Sequence, residues 1–390
     1  MTDVVQRVHD IGSDLEGINT EADEQRYLPE TAMKQLSDTG LFRLLQPKDF
    51  GGEEAHLCEF LESVMAVGSH SPSAGWISGV VGVHPWELAV TDRRLQEEIW
   101  GQNPDTLVAS PYAPFGRAKV VEGGVVFSGR WPYSTGTDHC EWIILGGLLT
   151  DAEGDVGTVP EMRHFVLPRS DYEIVADSWY VMGLQGTGSR DVIVDEAFIP
   201  DYRIVYPPGL DDGSTAREMG RTDPLYAIPF GVVFSGAITA GTLGIAEGAL
   251  KAFTDYTRDR VRVNGVKVAG DPFQLAALGE ATADLDASRR HVLSDIERLY
   301  DILETRDHIT LDERLVVRSN QVRASRRAVD AVDRLFAHAG AGSLRLDHPL
   351  QAFWRDLHAG MNHVCNVAEP VYQAYGLNLF GQPIPKGVYV

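Results

Sequence analysis

From about residue 3 to residue 103 apolar positions recur at the three-and-four spacing of amphipathic helices. The segment Glu30–Gly40 is one such predicted helix, closed by glycine where helix C-termini commonly place one. From about Thr106 to Tyr206 the period drops to two. Strands are expected around Trp142–Gly147, His164–Pro168 and Asp191–Ile199, with Gly, Pro, Asp and Ser between them. Lys119–Gly129 reads as two strands folded about Glu122-Gly123-Gly124. Residues 207–224 form a polar, breaker-rich link, after which helical spacing returns from Phe230 to about Leu379. The pattern predicts an α+β chain: an N-terminal helical domain over 1–104, a central β-domain over 105–215 and a C-terminal helical bundle over 216–390. No internal repeat or low-complexity tract interrupts it.

Composition narrows the class. The chain has 390 residues, 44% hydrophobic and 23% charged, enough for a sizeable core built from two or three packed subdomains. Lys+Arg 34 against Asp+Glu 56 leaves a net charge of −22, which repels nucleic acid and anionic membranes and leaves a basic partner surface open. No apolar run reaches about 18 residues, and the first ten residues are polar and amphipathic, unlike a signal peptide, so a cytoplasmic location is expected. Cys58, Cys140 and Cys365 are odd in number and far apart, which indicates reduced thiols and neither a disulfide framework nor a metal knuckle.

Candidate chemistry begins at Gly129–Cys140, where a strand-like alternation ends in rings, hydroxyls and glycine. Trp131 and Tyr133 offer ring faces, Ser134 and Thr135 hydrogen bonds, for a planar cofactor; an ordinary sheet edge with surface aromatics is the alternative. His84 lies in a stretch without carboxylate, lysine or arginine between Gly68 and Glu87, so its imidazole must find partners or stay neutral. A core histidine bonded to a backbone carbonyl fits the same pattern. Ser110 opens a loop stiffened by Pro111 and Pro114, and reads as a turn serine or a fixed hydroxyl. Arg258, Arg260 and Arg262 form a charged run that is ordinarily a solvated face. His358 and His363 are five apart, which argues against an i,i+4 metal pair, and no metal site is expected; His363 and Asn366, three apart, would share a helix face. Gly340–Gly342 is a helix stop or a close backbone approach. Gly183–Gly188 lacks the strand-turn-helix context of a dinucleotide fingerprint, and no Gly-x-Ser-x-Gly elbow is present.

Seven ordered segments carry a resemblance over nearly the whole chain: Gly40–Pro47 with Phe50–Gly52, Ala74–Trp86, Ser110–Pro114, Gly129–Cys140, Gly183–Ser189 and Phe353–Gly360. Together they resemble the oxygenase components of two-component flavin-dependent monooxygenases built on the acyl-CoA dehydrogenase fold, among them secosteroid phenol hydroxylase and, more distantly, p-hydroxyphenylacetate hydroxylase. The resemblance implies reduced FMN or FADH2 delivered by a separate NAD(P)H-dependent flavin reductase, O2 as co-substrate, a C4a-hydroperoxide, and hydroxylation of a phenolic ring ortho to its hydroxyl. It implies a homotetramer as well. It places His84 at the substrate hydroxyl as proton acceptor, with Ser110 orienting the phenol and touching the flavin, and Tyr112 lining the isoalloxazine pocket. Pro111 stands where such relatives more often carry serine. Trp76 and Tyr133 would cover the flavin ring, Ser134 or Thr135 would sit near its N5, and His363, a catalytic candidate with His84 and Ser110, and Asn366 would lie beside it. Arg260 would reach a flavin phosphate across a subunit boundary, and Ala341 and Gly342 would let backbone approach the flavin. The rival readings are an acyl-CoA dehydrogenase proper, with Glu369 as the only nearby base, an N- or S-oxygenase on the same fold, and a non-catalytic flavin or aromatic-ligand binder.

Overall fold

The computed structural model describes residues 3–151, 153–261, 265–385 and 387–388. Helices occupy the chain from Asp3–Asp10 to Arg93–Trp100, a sheet fills the middle, and long helices follow from Phe230 onward. Two of the N-terminal helices, Pro72–Gly82 and His84–Ala89, are buried at every residue, and Pro72–Gly82 is the longer. Ser71 starts it, accepting the Ala74 N–H at 3.4 Å with its side chain, and Pro72 occupies the first turn, where a missing N–H costs nothing. Gly75 admits the backbone of Gly68 so closely that a Cβ there would lie 2.3 Å from its Cα. The helix thus packs against both Leu57–His70 and the 30-residue helix Phe230–Asp259. That long helix is apolar enough to cross a membrane by length and composition, but it is buried as the central core helix of the C-terminal bundle.

The bundle continues with Pro272–Leu303, Leu311–Ala339, Pro349–Gly360 and Ala368–Leu379. Thr310 and Glu313 cap Leu311–Ala339 reciprocally, each side chain bonded to the other's backbone N–H. The link before the bundle is more ordered than its breakers predict: Pro207–Asp211 and Ser214–Glu218 are short helices, the first begun by prolines whose φ is preset for a helical turn.

Among the described residues the strands are β1 (Val108–Ala109), β2 (Gly116–Val121), β3 (Gly124–Ser134), β4 (Trp142–Thr150), β5 (Met162–Pro168), β6 (Glu173–Val175), β7 (Arg190–Pro200) and β8 (Ile204–Val205). They form one sheet in the order β6-β7-β3-β2-β4-β5-β8, with β1 added alongside β4. The β2–β3 hairpin turns on Glu122-Gly123, with Gly123 supplying the left-handed residue at φ 78°. The register of β3 against β7 steps from Trp131 opposite Val192 to Ser134 opposite Arg190, so one extra residue bulges from β3. Pro132 and Tyr133 fill that bulge, Tyr133 in the left-handed region at φ 67°.

The bulge decides which side chains face where. Trp131 does not offer a ring face. It is fully buried against Phe127, and its indole N–H donates to the carbonyls of Gly146 at 2.8 Å and Ala113 at 3.1 Å. Within the bulge Tyr133 is turned outward and 68% exposed, whereas beyond it Ser134 and Thr135 are turned inward and buried.

Candidate active site

His84 begins the short helix His84–Ala89 and is completely buried. Its Nδ1 meets the backbone carbonyl of Val108, and its Nε2 lies 2.7 Å from Ser110 Oγ. A carbonyl can only accept, so Nδ1 carries the proton, and burial drives the ring's pKa down to about 4, which keeps it neutral. Nε2 is therefore a bare acceptor, and the Ser110 hydroxyl donates to it. The two sequence readings of His84 coincide: it is bonded to a carbonyl, and that bond prepares the other nitrogen for chemistry.

A continuous run of ring contacts leads away from this pair. His84 meets Tyr112 with centroids 5.9 Å apart, Tyr112 meets Phe234 at 5.2 Å, Phe234 meets His363 at 5.9 Å, and His363 meets Trp76 at 5.7 Å. Residues some 290 positions apart in sequence thus converge on one aromatic cluster. Phe230 and Phe234, stacked at 5.6 Å and one helical turn apart, were not among the sequence candidates; their i,i+4 spacing after Pro229 is the signal that marks them.

His363 is not on a helix. Pro349–Gly360 has ended, and His363 caps the short 3₁₀ turn Val364–Asn366, its Nδ1 accepting the Cys365 N–H at 3.2 Å. Nε2 consequently carries the ring's proton and is a donor. The residue as a whole is partly exposed, but its ring is enclosed by Trp76 and Phe234, and desolvation, helped by the nearby Arg318 cation, lowers its pKa to about 4. Asn366 is engaged on every side: its amide N–H groups donate to Gly360 O at 3.0 Å and Thr242 Oγ1 at 3.2 Å, and its carbonyl oxygen accepts from Ser325 Oγ at 2.9 Å.

Trp76 lies under Gly360, where a Cβ would stand 2.8 Å from the indole. Gly136 packs on Ile77 and Val81 of the same helix, and its N–H donates to Thr187 O at 3.0 Å. This draws the end of β3 and the 183–189 loop onto the Trp76 helix. Thr135, Ser189 and Thr187 share a hydroxyl chain with links of 2.9 and 2.7 Å, while Ser134 Oγ is buried with no hydrogen-bond partner. The loop itself is a 3₁₀ turn between β6 and β7, not a dinucleotide fingerprint. Leu184, in the left-handed region, donates its N–H to the buried Asp356 at 2.7 Å. A buried serine oxygen with spare capacity, two residues before the Gly136 that packs on the Trp76 helix, suits a planar heterocycle with carbonyls and ring nitrogens.

Arg260, Ala341 and Gly342 form a second cluster. The long helix ends at Asp259, and Arg260, its C-cap, donates to Ala339 O beside Gly340 with its guanidinium over Tyr256. Gly342 adjoins the Tyr256 hydroxyl. Tyr256 stands roughly 22 Å along the helix from Gly241, against which Trp76 packs. Arg262 lies outside the described residues. Glu369 is exposed and paired with Arg326, so it does not face the aromatic cluster. His358 is held by Trp354 O and Asp333. Among the described residues no group of three metal-ligating side chains occurs, and all three cysteines are buried and free.

Helix layer, sheet and helix bundle around such a cluster define a flavoprotein of the acyl-CoA dehydrogenase fold, and residues 237–367 match the acyl-CoA dehydrogenase C-terminal domain. A pigment production hydroxylase of Rhodococcus erythropolis is 43% identical over 99% of this chain and 98% of its own. The flavin-dependent monooxygenase oxygenase subunit HsaA of Rhodococcus jostii is 38% identical over 93% of this chain and 94% of its own. The crystal structure of 3-HSA hydroxylase from Rhodococcus sp. RHA1 superposes with a TM-score of 0.94 at 37% identity, covering 100% of this chain and 99% of that one. The chain belongs to the family of flavin-dependent monooxygenase oxygenase components. It is an enzyme that uses reduced flavin and O2, and a separate reductase supplies the flavin.

Proposed function

We propose that this enzyme hydroxylates a phenolic ring ortho to its hydroxyl, with Ser110 engaging the phenol and His84 taking the proton through Ser110. The observation that carries the proposal is the tautomer of His84. With Nδ1–H spent on Val108, Nε2 takes the Ser110 proton, and the Ser110 oxygen is left with lone pairs for a phenol O–H. The relay has one direction, phenol to Ser110 to His84. An imidazole held near pKa 4 does not ionise a resting phenol, whose pKa is about 10. It polarises the O–H bond and feeds electron density to the ortho carbon, and it takes the proton as oxygen attack makes the ring acidic. His84 thus acts through Ser110 and not by direct contact with the substrate.

Bound reduced flavin would activate O2, delivering one oxygen atom to the ring while the other leaves as water. Trp76, Ser134 and Thr135 would hold its ring system, with the partnerless Ser134 hydroxyl as the fit that supports this, whereas Tyr133 is turned outward against Trp179 and does not join them. His363 would present its Nε2–H to the reacting oxygen as a donor. Tyr112 and Asn366, whose polar ends are satisfied within the chain, would act as fixed packing around the site, and the apolar rings would exclude water. Arg260, with Ala341 and Gly342, would serve the phosphate of a flavin held mainly by another copy, in a homotetramer.

The test is the purified protein with a flavin reductase, NADH, FMN or FAD and a panel of phenols. A catechol product in step with NADH consumption supports the reading. Hydrogen peroxide as the sole product from every phenol, or oxidation of an acyl-CoA, refutes it.

A further inference from the structure

The helix His84–Ala89 and the segment Val108–Tyr112 are joined by two parallel rungs. His84 and Glu87 are three apart on the helix and share a face. Val108, Ser110 and Tyr112 alternate along the facing segment, and all three turn toward that helix: Val108 through its carbonyl, the others through their side chains. The first rung is Ser110 Oγ to His84 Nε2 at 2.7 Å, and the second is the Tyr112 hydroxyl donating to Glu87 Oε2 at 2.8 Å.

The second rung is built to be rigid. Glu87 is fully buried, and its other oxygen, Oε1, lies 2.6 Å from His164 Nδ1 on β5, itself buried. The ring of Tyr112 is boxed by His164 at 4.7 Å and by the edges of Phe230 and Phe234 at 5.5 and 5.2 Å. Burying a carboxylate is costly and is tolerated where its hydrogen bonds are satisfied. Nothing in the relay itself consumes this one. What it does is fix the far end of a three-residue loop whose near end is Ser110. Pro111 between them has no N–H to anchor the loop by itself, and beyond Ala109, where the pairing of β1 with β4 ends, the backbone bond to β4 is Gly146 N–H to Pro111 O at 3.1 Å. A misplacement of about 1 Å at a reacting group can cost on the order of 10²-fold in rate.

We propose that Glu87 and Tyr112 are positioning residues for the Ser110–His84 relay: their rung sets the distance at which Ser110 meets His84. The proposal rests on the phenol reading for its catalytic consequence, but its geometry is testable without it.

Tyr112→Phe removes the rung and leaves the buried Glu87 Oε2 without its tyrosine donor. In a crystal structure of that variant the Ser110 Oγ to His84 Nε2 separation should exceed about 3.5 Å, the limit of a hydrogen bond. Product formed per reduced flavin consumed should fall about tenfold. In the Ser110→Ala background the same substitution should cost nothing further, because groups that act through one another are not additive. Glu87→Gln, which keeps an acceptor for Tyr112, should retain product yield within about threefold of the parent. An unchanged separation, or an equal loss in both backgrounds, overturns the proposal. A lengthened separation in an enzyme that hydroxylates no phenol upholds the brace and refutes the phenol reading instead.

Discussion

The hydroxyl of Ser110 lies 2.7 Å from Nε2 of His84, a nitrogen left without a proton because Nδ1 is committed to Val108. Two side chains that look like a turn serine and a core histidine are thereby polarised in series. The pair has a direction, and that direction is open to experiment.

His84→Ala should slow phenol hydroxylation by about 10²–10⁴, the usual range for a general base. Hydrogen peroxide should replace product, since oxygen activation does not need the imidazole. Raising the pH should restore part of the yield by ionising the phenol in solution, which a purely structural cavity would not allow. Product and peroxide measured per NADH across pH decide it. Normal coupling at neutral pH would make His84 structural.

Arg260→Ala should weaken binding of reduced flavin by about 1.5–3 kcal/mol, the worth of a charge-assisted bond to phosphate. Anaerobic titration measures this, and sedimentation velocity gives the oligomeric state in parallel. Unchanged affinity removes Arg260 from the site. A stable, fully active monomer removes the shared-site arrangement.

Trp131→Phe should lower the unfolding free energy by about 1–3 kcal/mol, because the carbonyls of Gly146 and Ala113 lose their buried donor. Reduced-flavin affinity should stay within about twofold, as befits a ring inside the sheet's core. A large loss of flavin binding at unchanged stability would put Trp131 back at the cofactor.

Burial holds His84 at about pH 4 against an ordinary 6.5, so the unfolded chain takes up this proton first as pH falls. Its share of stability, at most about 3 kcal/mol, is present above pH 6.5 and lost on acidification toward pH 4. Asp356 works the other way. Desolvation raises it from 3.8 to about 6, so the folded state takes up its proton first and gains stability as pH falls through 6 toward 4. Urea unfolding of His84→Gln should therefore show less acid loss than the parent between pH 6.5 and 4, and Asp356→Asn should show more. Parallel curves for parent and His84→Gln would mean that the histidine is not buried neutral.

Much of the architecture is a local property of the chain. The change of period near Thr106, the glycine after Glu30–Asp38 and the Glu122-Gly123 turn follow from side-chain alternation and backbone freedom, which neighbours in sequence determine. Residue types at Trp76, Ser134 and His363 likewise announce rings and hydrogen bonds before any folding. Other features belong to the tertiary structure alone. Trp131 and Ser134 are both buried, with Tyr133 turned outward between them, because at that step β7 accepts one fewer residue than β3 supplies, and a strand's own sequence does not contain its partner's register. His363 fell off its expected helix because Pro349–Gly360 closed at Gly360, under which Trp76 packs. Arg260 stands apart from Trp76 because a rigid 30-residue helix sets their distance. The tautomer of His84 was decided by a carbonyl arriving from 24 residues away, since a buried imidazole takes its proton where an acceptor is placed and the chain's order does not say which acceptor that will be.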